Sequence, residues 1–200
     1  MVKGVQSKAM IVILSAPSGG GKTSISKKIL DDDKNIKLSI SVTTRNPRPD
    51  EKEAVDYFFK SITEFQKLKN SDEFLEYAEV YGNFYGTPKK YVNEMLAKGH
   101  DVLFDIDHQG AQQIKQKLSD QVVSIFIVPP SIEALRDRLE SRGQDSNDNI
   151  EKRLKLAEQV ISHSDSYDYV VVNDNFEQAV KEIQKIIKKE RMGKVSNEQK

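Results

Sequence analysis

Ala16-Pro17-Ser18-Gly19-Gly20-Gly21-Lys22-Thr23 brings together the groups needed to bind a polyphosphate. Three consecutive glycines let backbone N–H groups converge into an anion nest, and a helix that follows adds the positive end of its dipole. The lysine that closes the run can reach β- and γ-phosphates, and the threonine hydroxyl beside it is a ligand for Mg²⁺. The run matches the Walker A pattern except at its first position, where alanine replaces glycine. A methyl group is tolerated there if the φ angle of Ala16 is negative. A plain glycine-rich turn does not account for Gly-Lys-Thr at a strand-to-helix junction. The motif names neither the nucleotide nor the reaction.

Arginine supplies a second signal. Only seven of the 31 basic residues are arginine, and six of them, Arg45, Arg48, Arg136, Arg138, Arg142 and Arg153, fall in two short windows. The rigid guanidinium fork suits phosphate better than a lysine does. In Ser41-Val42-Thr43-Thr44-Arg45-Asn46-Pro47-Arg48, proline stiffens the turn between two arginines, and Tyr57 follows as a neutral donor. The window reads either as an anion site or as a basic surface turn. The second window holds Arg138 and Arg142, four apart on one helix face, with Arg153 returning from the next helix. It reads either as a helical hairpin that closes over a phosphate chain or as a solvated face paired with Asp137 and Glu140. A third signal is Val102 to Asp107, an apolar strand ending in alternating carboxylates. Asp105 and Asp107 are expected on one side of a sheet at its carboxyl edge, where open α/β folds bind ligands. Asp105 is placed to stand beside a metal, as a Walker B acid does.

These groups need a scaffold. Met10 to Ala16, Val102 to Ile106, Val122 to Val128 and Tyr169 to Val172 read as buried strands, and Ile36 to Val42 as a further strand. Helical spacing marks Thr23 to Leu30, Pro88 to Lys98, Gln109 to Leu118, Ser131 to Arg142, Ile150 to His163 and Phe176 to Lys189. Apolar strands alternating with amphipathic helices define an α/β fold with a central parallel sheet covered on both faces. Thr43 to Tyr85 breaks that rhythm with turns and aromatics and reads as an inserted lobe. Within it a short strand, Tyr57 to Phe59, precedes a helix near Thr63 to Lys69, for which Ser61 and Glu64 offer a capping box. Gln144 to Asn149 reads as a polar loop.

Composition sets the outer limits. Two hundred residues suit one domain with a small insertion. There is no cysteine, which removes disulfides, thiolate ligands and a thiol nucleophile. With 31 basic and 31 acidic residues the net charge is zero, which argues against nucleic-acid binding. No apolar run is long enough for a membrane span and no signal-peptide pattern is present, so the chain reads as cytoplasmic.

Taken together these segments resemble the guanylate kinases, ATP-dependent enzymes that convert GMP to GDP. The resemblance runs from about Met10 to Lys189. It rests on APSGGGKT, SVTTRNPRPDE with DYFF, EFLEYAEVYGNFYGT, LFDIDHQG, LRDRLESRG with IEKRL, and VVND. It implies a P-loop three-layer sandwich with a small α+β lobe for the nucleoside monophosphate and a helical lid. The core would comprise residues 1–40 and 88–200, with the lid at about 136–153, and the GMP lobe residues 41–87. Arg45, Arg48, Tyr57 and Tyr85 would bind the GMP phosphate, and Ser41, Glu76, Thr87 and Asp107 would read guanine. Lys22 and Thr23 would serve ATP and Mg²⁺ with Asp105 near the metal. Arg138, Arg142 and Arg153 would act on the transferring group, and Asn173 would lie near the adenine end.

The chemistry agrees with that set. Guanine presents N1–H and an amine, two parallel donors that fit one carboxylate. The acceptor is already an anionic oxygen, so no general base is needed, and His100, His108 and His163 read as ordinary surface or helix-end residues. Ala16, Asp50 and Ala54 stand where the family usually has glycine. The rivals are a P-loop GTPase, a non-catalytic guanylate-kinase-like interaction module and a kinase for another nucleoside monophosphate. Asp107-His108-Gln109-Gly110 fits a DxxG switch, but no Asn-Lys-x-Asp motif accompanies it, and Lys22, Thr23 and the arginines of a working site are all present. Oligomeric state stays open.

Overall fold

Every residue of Ile11–Ser15 (β1) is buried, as a strand covered on both faces must be. The computed structural model describes residues 9–80, 82–141, 143 and 146–197, with side chains to residue 193. Strand β1 lies at the centre of a five-stranded sheet with Ile36–Leu38 (β2), Asp101–Asp105 (β7), Val122–Val128 (β8) and Tyr169–Val172 (β9). The order is β2-β7-β1-β8-β9, and every pairing is parallel.

Helices cover both faces. Lys22–Asp32 (α1) and Phe176–Asn197 (α7) enclose Val12, Leu14, Ile25 and Ile183 on one side. Lys89–Ala97 (α3) and His108–Leu118 (α4) enclose Ile13, Phe104, Val92 and Ile114 on the other. Ile132–Ser141 (α5) and Asn147–Ile161 (α6) pack on each other through Leu135, Leu139, Ile150 and Leu154.

A second, four-stranded sheet is built from Ser41–Thr43 (β3), Tyr57–Phe59 (β4), Phe74–Val80 (β5) and Asn83–Pro88 (β6) in the order β4-β3-β6-β5. Ile62–Asn70 (α2) lies against it, with Phe65 stacked between Phe74 and Phe84 at centroid separations of 4.8 and 5.4 Å. The expected capping box starts α2: Glu64 N–H donates to Ser61 Oγ at 3.2 Å, and Ser61 N–H donates to Glu64 Oε2 at 2.8 Å.

Three segments depart from the sequence reading. Ile36 to Val42 is not one strand: β2 joins the parallel sheet, β3 joins the second sheet, and Ser39-Ile40 carries the chain between them. Apolar alternation persists across that break and hides it. The β5–β6 hairpin was not anticipated, because a register irregularity between Phe74 and Glu76 leaves Phe74, Leu75 and Glu76 all buried and destroys the period of two. Helix α6 begins at Asn147, inside the expected polar loop, with Ser146 as its N-cap residue. Gln144 and Asp145 lie outside the described residues.

Two of the alanine and aspartate departures resolve differently. Ala16 is not among the described residues with positive φ, so its methyl group fits the loop without backbone strain. Ala54 adopts φ 60°, the left-handed region that disfavours a Cβ, in the exposed turn closed by Ala54 N–H donating to Tyr57 O at 2.8 Å. Ala54→Gly is therefore expected to raise stability by about 1 kcal/mol, net of the entropy glycine adds to the unfolded chain. Urea denaturation monitored by circular dichroism measures it, and a lowered midpoint would show that the turn is not strained.

Candidate active site

The phosphate loop leaves β1 at Ser15 and enters α1 at Lys22, at the carboxyl edge of the parallel sheet. Gly21 holds φ 93° at the helix N-cap, and a Cβ there would collide with Asn173 Nδ2. That amide donates to Gly20 O at 2.8 Å, so Asn173, only 5% exposed, pins the loop from the β9–α7 junction. Helix α5 closes the opposite side, with Leu135 and Leu139 packed against Gly19. Arg138 Nη2 donates to Asn173 O at 2.7 Å, while its Nη1 is buried with no hydrogen-bond partner. Lys22 pairs with the Asp105 carboxylate at the end of β7 and donates to Ile106 O at 3.1 Å. Thr23, the next residue, is exposed.

The second sheet carries a different chemistry. Glu76 on β5 is 3% exposed; its Oε1 accepts from Thr87 Oγ1 at 2.6 Å, and Thr87 Oγ1 lies 3.2 Å from Ser41 Oγ. Burial pushes the Glu76 carboxyl up to about 7, against the Thr87 hydrogen bond and aided by the nearby charge of Asp107. Along the same sheet Arg45 Nη2 donates to both oxygens of Glu51, at 2.7 and 2.9 Å, and Arg48 N–H donates to Glu51 Oε2 at 2.8 Å. The Arg45 guanidinium lies 5.5 Å from the Tyr57 ring centroid, and Tyr57 meets Tyr85 edge-on at 6.0 Å. Burial pushes the Tyr57 phenol up, which keeps it a neutral donor. Glu51 is the participant that sequence reasoning missed. Its signal was present as an acid three residues after Arg48, the spacing that lets its carboxylate fold back on the turn.

A cleft of about 650 Å³ is lined by the phosphate loop, by Asp107, by Glu79 at the end of β5 and by the half-buried Arg153 of α6. Asp107 does not continue β7 as expected. The strand stops at Asp105, and Asp107 is the N-cap of α4, its Oδ1 accepting from Gly110 N–H at 2.9 Å. The DxxG match is thus a helix start. His108 and His163 are helix-end residues that stack at 4.3 Å with planes 7° apart, and burial followed by His163 pushes the His108 imidazole down. His100 contacts Asn35. Arg142 lies outside the described residues, so of the three arginines expected to act together Arg138 and Arg153 are placed, while Arg136 pairs with Glu151.

A glycine loop at the carboxyl edge of a parallel sheet, facing a small second sheet with its own arginine cluster and buried carboxylate, is the architecture of the P-loop nucleoside monophosphate kinases. The guanylate kinase family model matches residues 8–190. Guanylate kinase of Rickettsia prowazekii is 51% identical over 186 residues, covering 93% of this chain and 94% of that protein. That of Rhizobium etli is 49% identical over 185 residues, 92% of this chain and 84% of the relative. The crystal structure of guanylate kinase from Anaplasma phagocytophilum superposes with a TM-score of 0.78 at 41% identity, covering 93% of this chain and 88% of that one. The chain belongs to the guanylate kinase family.

Proposed function

We propose that this protein transfers the γ-phosphoryl group of ATP to GMP, giving ADP and GDP. One observation carries the guanine assignment: a carboxylate almost wholly removed from water, Glu76, stands on the sheet opposite the phosphate loop with one oxygen tethered by Thr87. A buried carboxylate is costly unless partners complete it, and guanine N1–H and the exocyclic amine are two such donors. Ser41 and Thr87 orient that carboxylate, and Asp107 adds an acceptor at the base edge. Arg45, Arg48, Tyr57 and Tyr85 hold the GMP phosphate, with Glu51 fixing the arginine turn. Residues 41–87 form the GMP lobe and residues 136–153 the lid.

On the donor side Ala16 to Thr23 cradle the ATP phosphates, with Asn173 and Arg138 fixing the loop's shape. A GMP phosphate oxygen attacks the γ-phosphorus while the bond to the ADP oxygen breaks, and no protein base takes part. Lys22, Arg45, Arg138, Arg142 and Arg153 stabilise charge on the transferring group. The oxygen donors at the site, the Thr23 hydroxyl and the Asp105 carboxylate, are the hard ligands that Mg²⁺ selects. Among the described residues no group of three or more acidic, histidine or cysteine side chains gathers to hold a metal. Thr23 and Asp105 would hold Mg²⁺, which would screen the phosphate charge. No helix among the described residues is long and apolar enough to cross a membrane.

Coupled ADP release with GMP, AMP, CMP and UMP as acceptors tests the assignment. Turnover with GMP alone is expected; equal rates with GMP and AMP would overturn the guanine reading, and ADP release without an acceptor would indicate an ATPase.

The Glu76 carboxyl also sets a pH dependence. Its folded pKa of about 7 lies above the ordinary 4.5, so folding favours the neutral form. The sign follows: this group's stability contribution is full below 4.5 and is lost as pH rises through 7. Guanine donors require the ionised form, so GMP binding releases a proton. KM for GMP is expected to rise up to about tenfold per unit as pH falls below 7, with KM for ATP nearly flat. The GMP phosphate itself titrates near 6, so Glu76→Gln is the control. The part of the slope assigned to Glu76 vanishes in that variant, and its persistence would assign it to the phosphate.

A further inference from the structure

Gly110, at the end of the Asp107-His108-Gln109-Gly110 segment, has no role in the proposed chemistry. It lies in the first turn of α4 and is buried. Its φ is not positive, so its backbone conformation does not call for glycine. Helix propensity alone would favour alanine at this position. Space forbids it. A Cβ on Gly110 would lie 2.6 Å from Glu76 Oε2 and 3.1 Å from Glu76 Cδ, with Ile106 Cδ1 at 3.4 Å. The first two are the reading end of the carboxylate proposed to bind guanine. The same residue's N–H donates to Asp107 Oδ1 at 2.9 Å, so one glycine touches both acids of the base site.

We infer that Gly110 is a positioning residue for base recognition, holding Asp107 through its backbone N–H and admitting the Glu76 carboxylate through its missing side chain. This inference rests on the proposed role of Glu76. A methyl group here cannot displace the α4 backbone cheaply, because Ala111 and Ile114 anchor that helix in the core. The carboxyl group, at the end of a flexible side chain, is what moves. Thr87 still holds Oε1, so the displacement rotates Oε2 out of the plane that two parallel donors require. The consequence falls on guanine binding and leaves the fold and the ATP site unchanged.

The test compares wild type, Gly110→Ala, Glu76→Ala and the double variant. Steady-state KM for GMP, IMP and ATP is read, together with the melting temperature; IMP lacks the guanine exocyclic amine. In Gly110→Ala, KM for GMP is expected to rise about tenfold or more, with KM for ATP and the melting temperature unchanged and the GMP-over-IMP preference reduced. In the Glu76→Ala background, where the clashing atoms are gone, the same substitution should change KM for GMP less than about twofold. Equal effects in both backgrounds, or equal rises in KM for GMP and ATP, would mean a general packing role and overturn the inference. An unchanged KM for GMP in Gly110→Ala overturns it directly. If Glu76→Ala itself leaves the GMP-over-IMP preference intact, Glu76 does not read the base and the inference falls with that role. GMP-dependent ADP release by wild type would still support the kinase reading. Should Gly110→Ala melt early, Glu76→Asp/Gly110→Ala, with a retracted carboxyl, should recover the melting temperature and not the GMP affinity; recovery of both would overturn the positioning role.

Discussion

Replacing Lys22 with alanine is expected to lower kcat by about 10³-fold while leaving GMP binding unchanged. A single preorganised donor aimed at developing charge is worth about 10²–10³ in rate, and a lysine that also neutralises a polyanion stands at the upper end. Lys22 is held by two partners, the Asp105 carboxylate at the end of β7 and the carbonyl of the next residue, Ile106. The pair is half-buried, so its loss leaves Asp105 accessible to water and costs little stability. The deficit therefore appears in catalysis rather than in folding. Lys22→Arg should not restore the rate, because a planar fork does not substitute for a compact ammonium inside a backbone nest. Single-turnover ADP formation and GMP titration calorimetry together measure this. A kcat within tenfold of wild type would remove Lys22 from the mechanism.

What the sequence made legible divides along physical lines. Local signals were reliable. Glycines followed by lysine, fully apolar strands and a Ser61/Glu64 cap each depend on a few neighbouring residues, and each appears in the structure. Partnerships across the chain were not legible. Nothing near Asn173 reveals that its amide holds Gly20, 153 residues away, or that its carbonyl receives Arg138. The β5–β6 hairpin escaped notice because burying Glu76 requires an irregular register, and burial of a carboxylate contradicts the polar-out rule on which strand reading depends. The feature that most distinguishes the base site is thus the one that obscured its secondary structure. Gly110 enters the sequence reading only as the end of LFDIDHQG and of a DxxG match that lacks its companion motif; the structure shows that Asp107 and Gly110 make a helix cap beside a carboxylate that needs room.

Removing the Glu76 carboxylate should collapse guanine preference while sparing ATP. Glu76→Ala deletes both acceptors, and KM for GMP is expected to rise about 10²-fold, the equivalent of losing charge-assisted bonds to two donors. Glu76→Gln is the sharper test because it preserves shape. Oε1 lies 2.6 Å from Thr87 Oγ1, and Thr87 Oγ1 is itself 3.2 Å from Ser41 Oγ, so the hydroxyl chain can anchor an amide in place of the carboxylate. One end of that amide must be an N–H₂ group, and guanine offers it another donor. Donor facing donor in a site closed to water is worse than a void, so Gln is expected to bind GMP no better than Ala does. AMP behaves in the opposite sense. Its ring offers an acceptor at N1 and a donor at the amine, which sets N1 against an oxygen of the carboxylate but suits an amide, so kcat/KM for AMP should hold steady or rise in Glu76→Gln. The GMP-over-AMP ratio would then fall from about 10⁴ towards unity, with the phosphate cluster around Arg45 still binding either nucleotide. Competition kinetics with both acceptors present measure that ratio directly. A ratio unchanged in Glu76→Gln would transfer base selection to Asp107, the acid whose charge acts on Glu76.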